Sequence, residues 1–299
     1  MTRDTFNGRL SALVIQDYSP AHFKRTLPRG VGVAYAIACG LLPVGIFFLM
    51  RKEMAFGMLV MHFVPMLFLP AIHMTIFYGG SRFADYKQIA IREVQSFFTV
   101  KFRIAWACGM VIVVAPMVCI LFQLLKCSTI RWGLCYEKLL YKNVGFDFGN
   151  DAMFAIVGAY FAFVNPVIEE LFWRVWVHSE VAGVAFSENV PEHLPLLGSG
   201  SSASESVWID KLEPPISEFG KIFCCAIYAS YHFVVVWKFT NSIAYGVMAT
   251  ILMFAFGRLC IWFRSRRSWG ISAAIAAHMG IDLGIALGIA LEHYHVFSL

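Results

Sequence analysis

Three charged side chains, Glu169, Glu170 and Arg174, lie within NPVIEELFWRVWVH (165–178), in a mostly apolar stretch that begins at residue 152. Ionisable groups in such a setting cost several kcal/mol on some scales, so they are functional candidates. Glu170 and Arg174 stand four residues apart with the acid first, which is the favourable order for a helical ion pair, and a guanidinium can bind a carboxylate through two N–H groups. Glu169 is rotated by about 100° from Glu170 on a helix. It therefore lacks this partner and is available for chemistry.

Two later apolar stretches carry further polar groups at helical spacing. His278 and Asp282, in AAHMGIDLG, are four residues apart and share a helix face. His232, in IYASYHFVVV, follows Tyr228 by four residues. The residues around the His278–Asp282 pair are small and permit close helix packing; they are Ala276, Ala277, Gly280 and Gly284.

Four of these side chains could converge from three helices: Glu169, His232, His278 and Asp282. One carboxylate, two imidazoles and a second acid can activate a water and stabilise an oxyanion. The same groups could also ligate a divalent metal such as zinc. A single histidine in a span is more often a hydrogen-bonded packing residue, and we interpret His62 and His73 in that way. That interpretation is weak for the set of four, because seating so many ionisable groups without a role is costly.

The elements that position these residues are predicted to be membrane-spanning helices. The chain of 299 residues is 59% hydrophobic and 14% charged, whereas a soluble domain carries about 25% charged residues. Its mean hydropathy is +0.67. Several apolar runs reach the roughly 20 residues that cross a bilayer as helix. The predicted fold is an all-α, polytopic transmembrane bundle whose spans are 31–50, 54–78, 104–125, 152–178, 219–237, 243–263 and 271–291.

Prolines modify this count. Pro65 and Pro70 predict kinks in the second span. Because proline disfavours helix in the residue before it, we expect a break at Asn165–Pro166, and a split there would raise the count from seven spans to eight. The first run lacks a short apolar region followed by a small-residue cleavage site, so we expect it to be retained.

Lysines and arginines near the span ends favour an orientation with the N-terminus in the cytoplasm. Thirteen of them lie before residue 31, in 82–103 and in 264–267, and seven lie in the connections of the opposite side. This topology accounts for the net charge of +5, and no nucleic-acid partner is needed to explain it.

The three motifs together resemble a known family. The ordered set E-E-x-x-x-R, aromatic-x-x-x-H and H-x-x-x-N/D is similar to that of the CPBP (ABI) family of intramembrane proteases, which includes the type II CAAX prenyl endopeptidases. The matching residues, in order, are Glu169, Glu170 and Arg174, then Tyr228 and His232, then His278 and Asp282. The resemblance covers about residues 152–291.

The sequence departs from the family pattern at two positions. The second motif usually begins with Phe, and here it begins with Tyr228, which keeps the ring. The third more typically ends in Asn, whose amide can donate to an oxyanion, and here it ends in Asp282. An ionised carboxylate only accepts hydrogen bonds. Asp282 would therefore have to be protonated, orient His278 or bind a metal.

The resemblance implies an endopeptidase that removes the last three residues from prenylated CAAX proteins. The lipid would enter from the bilayer between helices, and the peptide would approach from the cytoplasmic side. Glu169 with His232 would activate the water, and His278 with Asp282 would stabilise the oxyanion. Three residues would support the site: Glu170, Arg174 and Tyr228. A metalloendopeptidase, with a zinc on the four site residues, stays open, as does a mechanism without metal.

Two other functions remain open. A non-enzymatic scaffold or immunity-type binder of the same family would have no need of Glu169, His232 and His278 together. A secondary transporter would use the buried acids as proton relays. The family implies the endoplasmic reticulum if the chain is eukaryotic and the plasma membrane if it is bacterial.

The predicted organisation is a cytoplasmic segment at 1–30, a region of three spans at 31–151, a catalytic CPBP-like core at 152–291 and a tail at 292–299. A Ser-, Gly-, Pro- and Glu-rich loop, expected to be flexible, interrupts the core at 179–217. Residues 81–103 fit an interfacial amphipathic helix or an extension of a span. Eight cysteines without paired CxxC motifs argue against a structural zinc site, and Cys127 with Cys135 could form a disulfide.

Overall fold

The structure is a computed structural model that describes residues 29–50, 53–78, 101–131, 150–181, 218–265 and 269–294. Over these ranges all secondary structure is helical and no strand occurs. The helices are α1 (Arg29–Leu49), α2 (54–78), α3 (101–131), α4 (151–181), α5 (Glu218–Thr240), α6 (Ile243–Ser265) and α7 (Gly270–His293). Six are long and apolar enough to cross a membrane, and α1 adds the shorter apolar stretch Val33–Leu49. The predicted all-α, polytopic transmembrane bundle is confirmed.

Helices α2, α3 and α4 contain wide, π-helical turns. One of them, His62–Phe68, contains Pro65. Another, Tyr160–Val164, lies directly before Asn165–Pro166, and the helix then continues through Pro166. Proline lacks an N–H and its ring crowds the preceding turn, and a π-helical turn locally changes the hydrogen-bond register. The wider turn before Pro166 lets the helix continue through the proline. The predicted break at Pro166 is wrong, and residues 151–181 form one helix.

The helix ends differ slightly from those predicted. Helix α4 reaches Val181, into the start of the predicted loop, and α7 reaches His293, into the predicted tail. Several predictions concern residues outside the described ranges, or side chains that the structure does not describe. These are the N-terminal segment, most of 81–103, the loop over 182–217, the Cys127–Cys135 pair and the tail beyond 294.

Helix α7 packs against α3 through three glycines at four-residue spacing, Gly280, Gly284 and Gly288. A Cβ on Gly280 would lie 2.9 Å from the carbonyl oxygen of Met110, and one on Gly284 would lie 2.6 Å from that of Ala115. Real Cβ atoms essentially never come within 3.0 Å of such atoms. The close packing predicted around His278 and Asp282 is therefore present, and it fixes the depth of α7 against α3.

The largest apolar core joins α1, α2, α4 and α5. Trp173 of α4 stacks on Tyr231 of α5, with ring centroids 6.0 Å apart. His73 of α2 stacks on Tyr35 of α1 at 5.0 Å and meets the edge of Trp176 at 5.3 Å. His73 thus lies among aromatic rings, in agreement with its interpretation as a packing residue. This core sets the relative positions of α4 and α5, which carry two of the three motifs.

Candidate active site

Glu169 is buried on α4, with 3% of its surface exposed. The hydroxyl of Tyr231 on α5 donates a hydrogen bond of 2.5 Å to its Oε2. Its Oε1 lies 3.8 Å from Nε2 of His62 on α2. Side chains of two other helices therefore face the carboxylate, one at each oxygen.

His62 lies beside Glu169, a contact that its interpretation as a hydrogen-bonded packing residue did not predict. The side chain is completely buried, its Nδ1 is 2.8 Å from the hydroxyl of Tyr160, and its Nε2 faces Glu169. When Tyr160 donates to Nδ1, the ring proton is on Nε2 and points at the carboxylate. No second polar residue stands near His62 at helical spacing. Its place near Glu169 was therefore indicated in the sequence only by the cost of an ionisable group in a span.

His232 on α5 is held by its own helix. Its Nδ1 lies 3.0 Å from the backbone carbonyl oxygen of Tyr228. A carbonyl only accepts, so this contact places a proton on Nδ1 and leaves the lone pair of the neutral ring on Nε2. This nitrogen can accept a proton from a water or hold a water by its hydrogen.

Buried polar contacts with Glu170 and Asp282 hold the ring of His278 in place. Its Nδ1 lies 3.0 Å from Oε1 of Glu170, and its Nε2 lies 3.6 Å from Oδ2 of Asp282. Glu170 in turn lies 3.3 Å from Nε of Arg174, so the predicted ion pair is present. The guanidinium of Arg174 sits over the ring of Tyr228, 4.1 Å from its centroid.

All four predicted site residues line one cavity of about 390 Å³: Glu169, His232, His278 and Asp282. Two further polar residues, Asn165 and Tyr231, join them, and most of the remaining wall is apolar. Leu121 of α3 and Leu252 of α6 line it while 52% and 56% exposed, so the cavity reaches the lipid-facing surface between these helices. Five methionines also line it, and their flexible side chains suit a ligand of irregular shape; they are Met54, Met58, Met61, Met248 and Met253.

The cavity extends from the middle of the helices toward one end of the bundle. At that end it is lined by Phe47, Met54, Thr240 and Tyr245, which lie at or near the ends of α1, α2, α5 and α6. The count of lysines and arginines assigns this end to the side away from the cytoplasm. The predicted orientation and the predicted cytoplasmic approach of the peptide therefore do not agree with each other.

Part of the chain matches the model of a known protein family. Residues 151–284 match the family model described as type II CAAX prenyl endopeptidase Rce1-like. This match supports the resemblance of residues 151–284 to the CPBP family of CAAX proteases. The match begins with the first residue of α4 and contains all seven motif residues. No curated protein and no solved structure matches the chain.

A catalytic zinc needs three protein ligands that point at one position. Within the ranges that the structure describes, no group of three His, Cys, Asp or Glu side chains could hold a metal ion. Two of the acids are already engaged, Glu170 by Arg174 and Asp282 by Asn165. The arrangement of these side chains does not fit a zinc ion. A metal-dependent mechanism stays a prediction that metal analysis of the purified protein can test.

Proposed function

We propose that this CPBP protein is an intramembrane endopeptidase that removes the C-terminal tripeptide from prenylated CAAX proteins. The family match supports a CAAX-type membrane protease. The observation that carries the finer proposal is the position of the reactive groups. A buried carboxylate and two imidazoles lie together on a mostly apolar cavity that reaches the lipid-facing surface.

The first chemical step is the attack of water on the scissile carbonyl. A water between Glu169 and Nε2 of His232 gives its proton to the carboxylate, while its oxygen bonds to the carbonyl carbon. Tyr231 and His62 hold Glu169 in place from two sides. Collapse of the tetrahedral intermediate breaks the C–N bond, and the proton on Glu169 passes to the leaving amine.

The second requirement is stabilisation of the oxyanion formed in the attack. His278 donates from Nε2 when the ring is protonated, and Glu170 fixes its other nitrogen. Donors that are positioned before the reaction stabilise developing charge without reorganisation. In this mechanism Glu170, Arg174 and Tyr228 keep the imidazole at the correct depth.

Filling the cavity should weaken binding of a prenylated substrate. Ala249 of α6 lines the cavity, and Ala255 of the same helix is exposed outside it. We expect Ala249→Phe to raise KM for a farnesylated CAAX peptide about tenfold, which corresponds to the loss of about two buried CH₂ groups. Ala255→Phe is the matched control and should leave KM unchanged. Equal KM values for both variants and the wild type would show that the prenyl group binds elsewhere.

The substrate also determines the orientation. A CAAX protein reaches the membrane from the cytoplasm, so the cavity end of the bundle must face that side. We therefore expect the C-terminal end of α7, at His293, to be cytoplasmic, in contrast to the orientation favoured by the charge count. A reporter fused after residue 299, active on only one side of the membrane, measures this. A C-terminus outside the cytoplasm would contradict the CAAX substrate while leaving the peptidase site intact.

A further inference from the structure

Asn165 is a buried polar residue on the cavity wall, with 3% of its surface exposed. It stands four residues before Glu169, so both side chains lie on one face of α4. Its Nδ2 donates a hydrogen bond of 2.7 Å to Oδ2 of Asp282 on α7. The bond joins the first and third motif helices directly at the site.

The two partners of this hydrogen bond differ in whether they can donate a hydrogen bond to a ligand. Oδ2 of Asp282 accepts from Asn165 and lies 3.6 Å from Nε2 of His278. While it is ionised, Asp282 can only accept hydrogen bonds and so cannot bind an oxyanion. The amide nitrogen of Asn165 carries two hydrogens, and one of them is used by Asp282.

The second amide hydrogen is a neutral donor on the wall of the cavity. Among the described residues, the bond to Asp282 is the one hydrogen bond that this side chain makes, and its Oδ1 has no partner there. The carboxylate fixes the amide by its first hydrogen and leaves the second for a ligand.

We propose that Asn165 donates to the oxyanion beside His278, and that Asp282 is the acceptor that orients it. This inference rests on the proposed function. It makes Asp282, which the family resemblance placed with His278 at the oxyanion, a positioning residue. The motif in other family members more typically ends in Asn on the last helix. Here the amide is on α4 and the carboxylate on α7, and one hydrogen bond joins them.

The local fold explains why Asn165 reaches this position. The π-helical turn Tyr160–Val164 ends directly before it, and regular helix resumes through Glu170. A π-helical turn shifts the register of the residues that follow and is frequent at functional sites. The turn that accommodates Pro166 therefore also sets the face on which Asn165 and Glu169 lie.

Kinetics of four variants on a farnesylated CAAX peptide test the proposal. We expect Asn165→Ala to lower kcat by about 10²–10³, the usual effect of losing one oxyanion donor, with KM within about threefold. Asn165→Asp should be inactive because it places two carboxylates in contact. Exchange of both residues, Asn165→Asp with Asp282→Asn, should restore kcat to within about tenfold of the wild type. Asn150→Ala, at the N-cap of α4 and outside the cavity, is the matched control and should keep kcat.

A binding measurement separates donation to the oxyanion from a structural effect. A tetrahedral phosphinate analogue of the farnesylated peptide should bind Asn165→Ala about 10²-fold more weakly than the wild type, while the farnesylated cleavage product binds equally to both. An Asn165→Ala protein with wild-type kcat, or an exchanged pair as inactive as Asn165→Asp, would overturn the inference and leave the proposed function standing. A folded wild type that neither cleaves the peptide nor binds the analogue would overturn both.

Discussion

Replacing Arg174 by methionine is expected to lower the free energy of unfolding by about 3–5 kcal/mol, the usual cost of removing one partner from a buried ion pair. Arg174 and Glu170 are both completely buried, and their atoms Nε and Oε2 lie 3.3 Å apart. Without the guanidinium, the imidazole of His278 still contacts Glu170, but the carboxylate has lost its buried cation. Unfolding of the purified protein by increasing SDS in mixed micelles measures the change.

Two further variants show whether the ion pair is the cause. Arg258→Met removes an exposed partner of Glu218, where the side chains are 38% and 63% exposed, and it should cost less than about 1 kcal/mol. Glu170→Gln combined with Arg174→Met removes both charges and keeps an acceptor for His278, so most of the lost stability should return. A single Arg174→Met variant as stable as the wild type would contradict a supporting function for this pair.

Replacing Glu169 by glutamine is expected to lower kcat on a farnesylated CAAX peptide by about 10³–10⁴, near the upper end of general acid–base effects. Gln has the same shape and still accepts the bond from Tyr231 through its amide oxygen, so the fold and KM should change little. It cannot take the proton of the attacking water. Glu218→Gln, exposed at the start of α5, is the control and should retain activity. Hydrolysis by Glu169→Gln at the wild-type rate would remove Glu169 from the mechanism.

The features predicted correctly from the sequence are those that depend on residues close together in the chain. The length of the apolar runs fixes the helices, and the spacing of four residues fixes the Glu170–Arg174 pair. The same spacing places His278 beside Asp282. The convergence of the four site residues on one cavity followed from the cost of leaving them in lipid, because each needs polar neighbours from another helix.

The parts that were missed depend on contacts between residues distant in the chain. Tyr160 and His62 are 98 residues apart, and Asn165 and Asp282 are 117 apart. No period along one helix encodes such a pair. Tyr231 was missed for a different reason: it adjoins His232, and neighbours on a helix point about 100° apart, so nothing local directed both to one cavity.

The orientation of the bundle shows a similar limit. Lysines and arginines near span ends report the insertion preference of the chain, whereas the cavity reports the side from which a substrate can enter. These two signals are independent in sequence, and they disagree for the proposed CAAX substrate. Because such a substrate would approach from the cytoplasm, the proposal follows the cavity, and the C-terminal reporter decides between the two orientations.

The most direct test of the central claim is the identification of the product. The purified wild-type protein is incubated with a farnesylated CAAX peptide, and the mass of the released fragment is measured by mass spectrometry. The Glu169→Gln variant is treated in the same way in parallel. We predict that the wild type releases the intact C-terminal tripeptide and that the variant releases none. A folded wild-type protein that leaves the peptide whole, or cuts it at another bond, would contradict a CAAX endopeptidase.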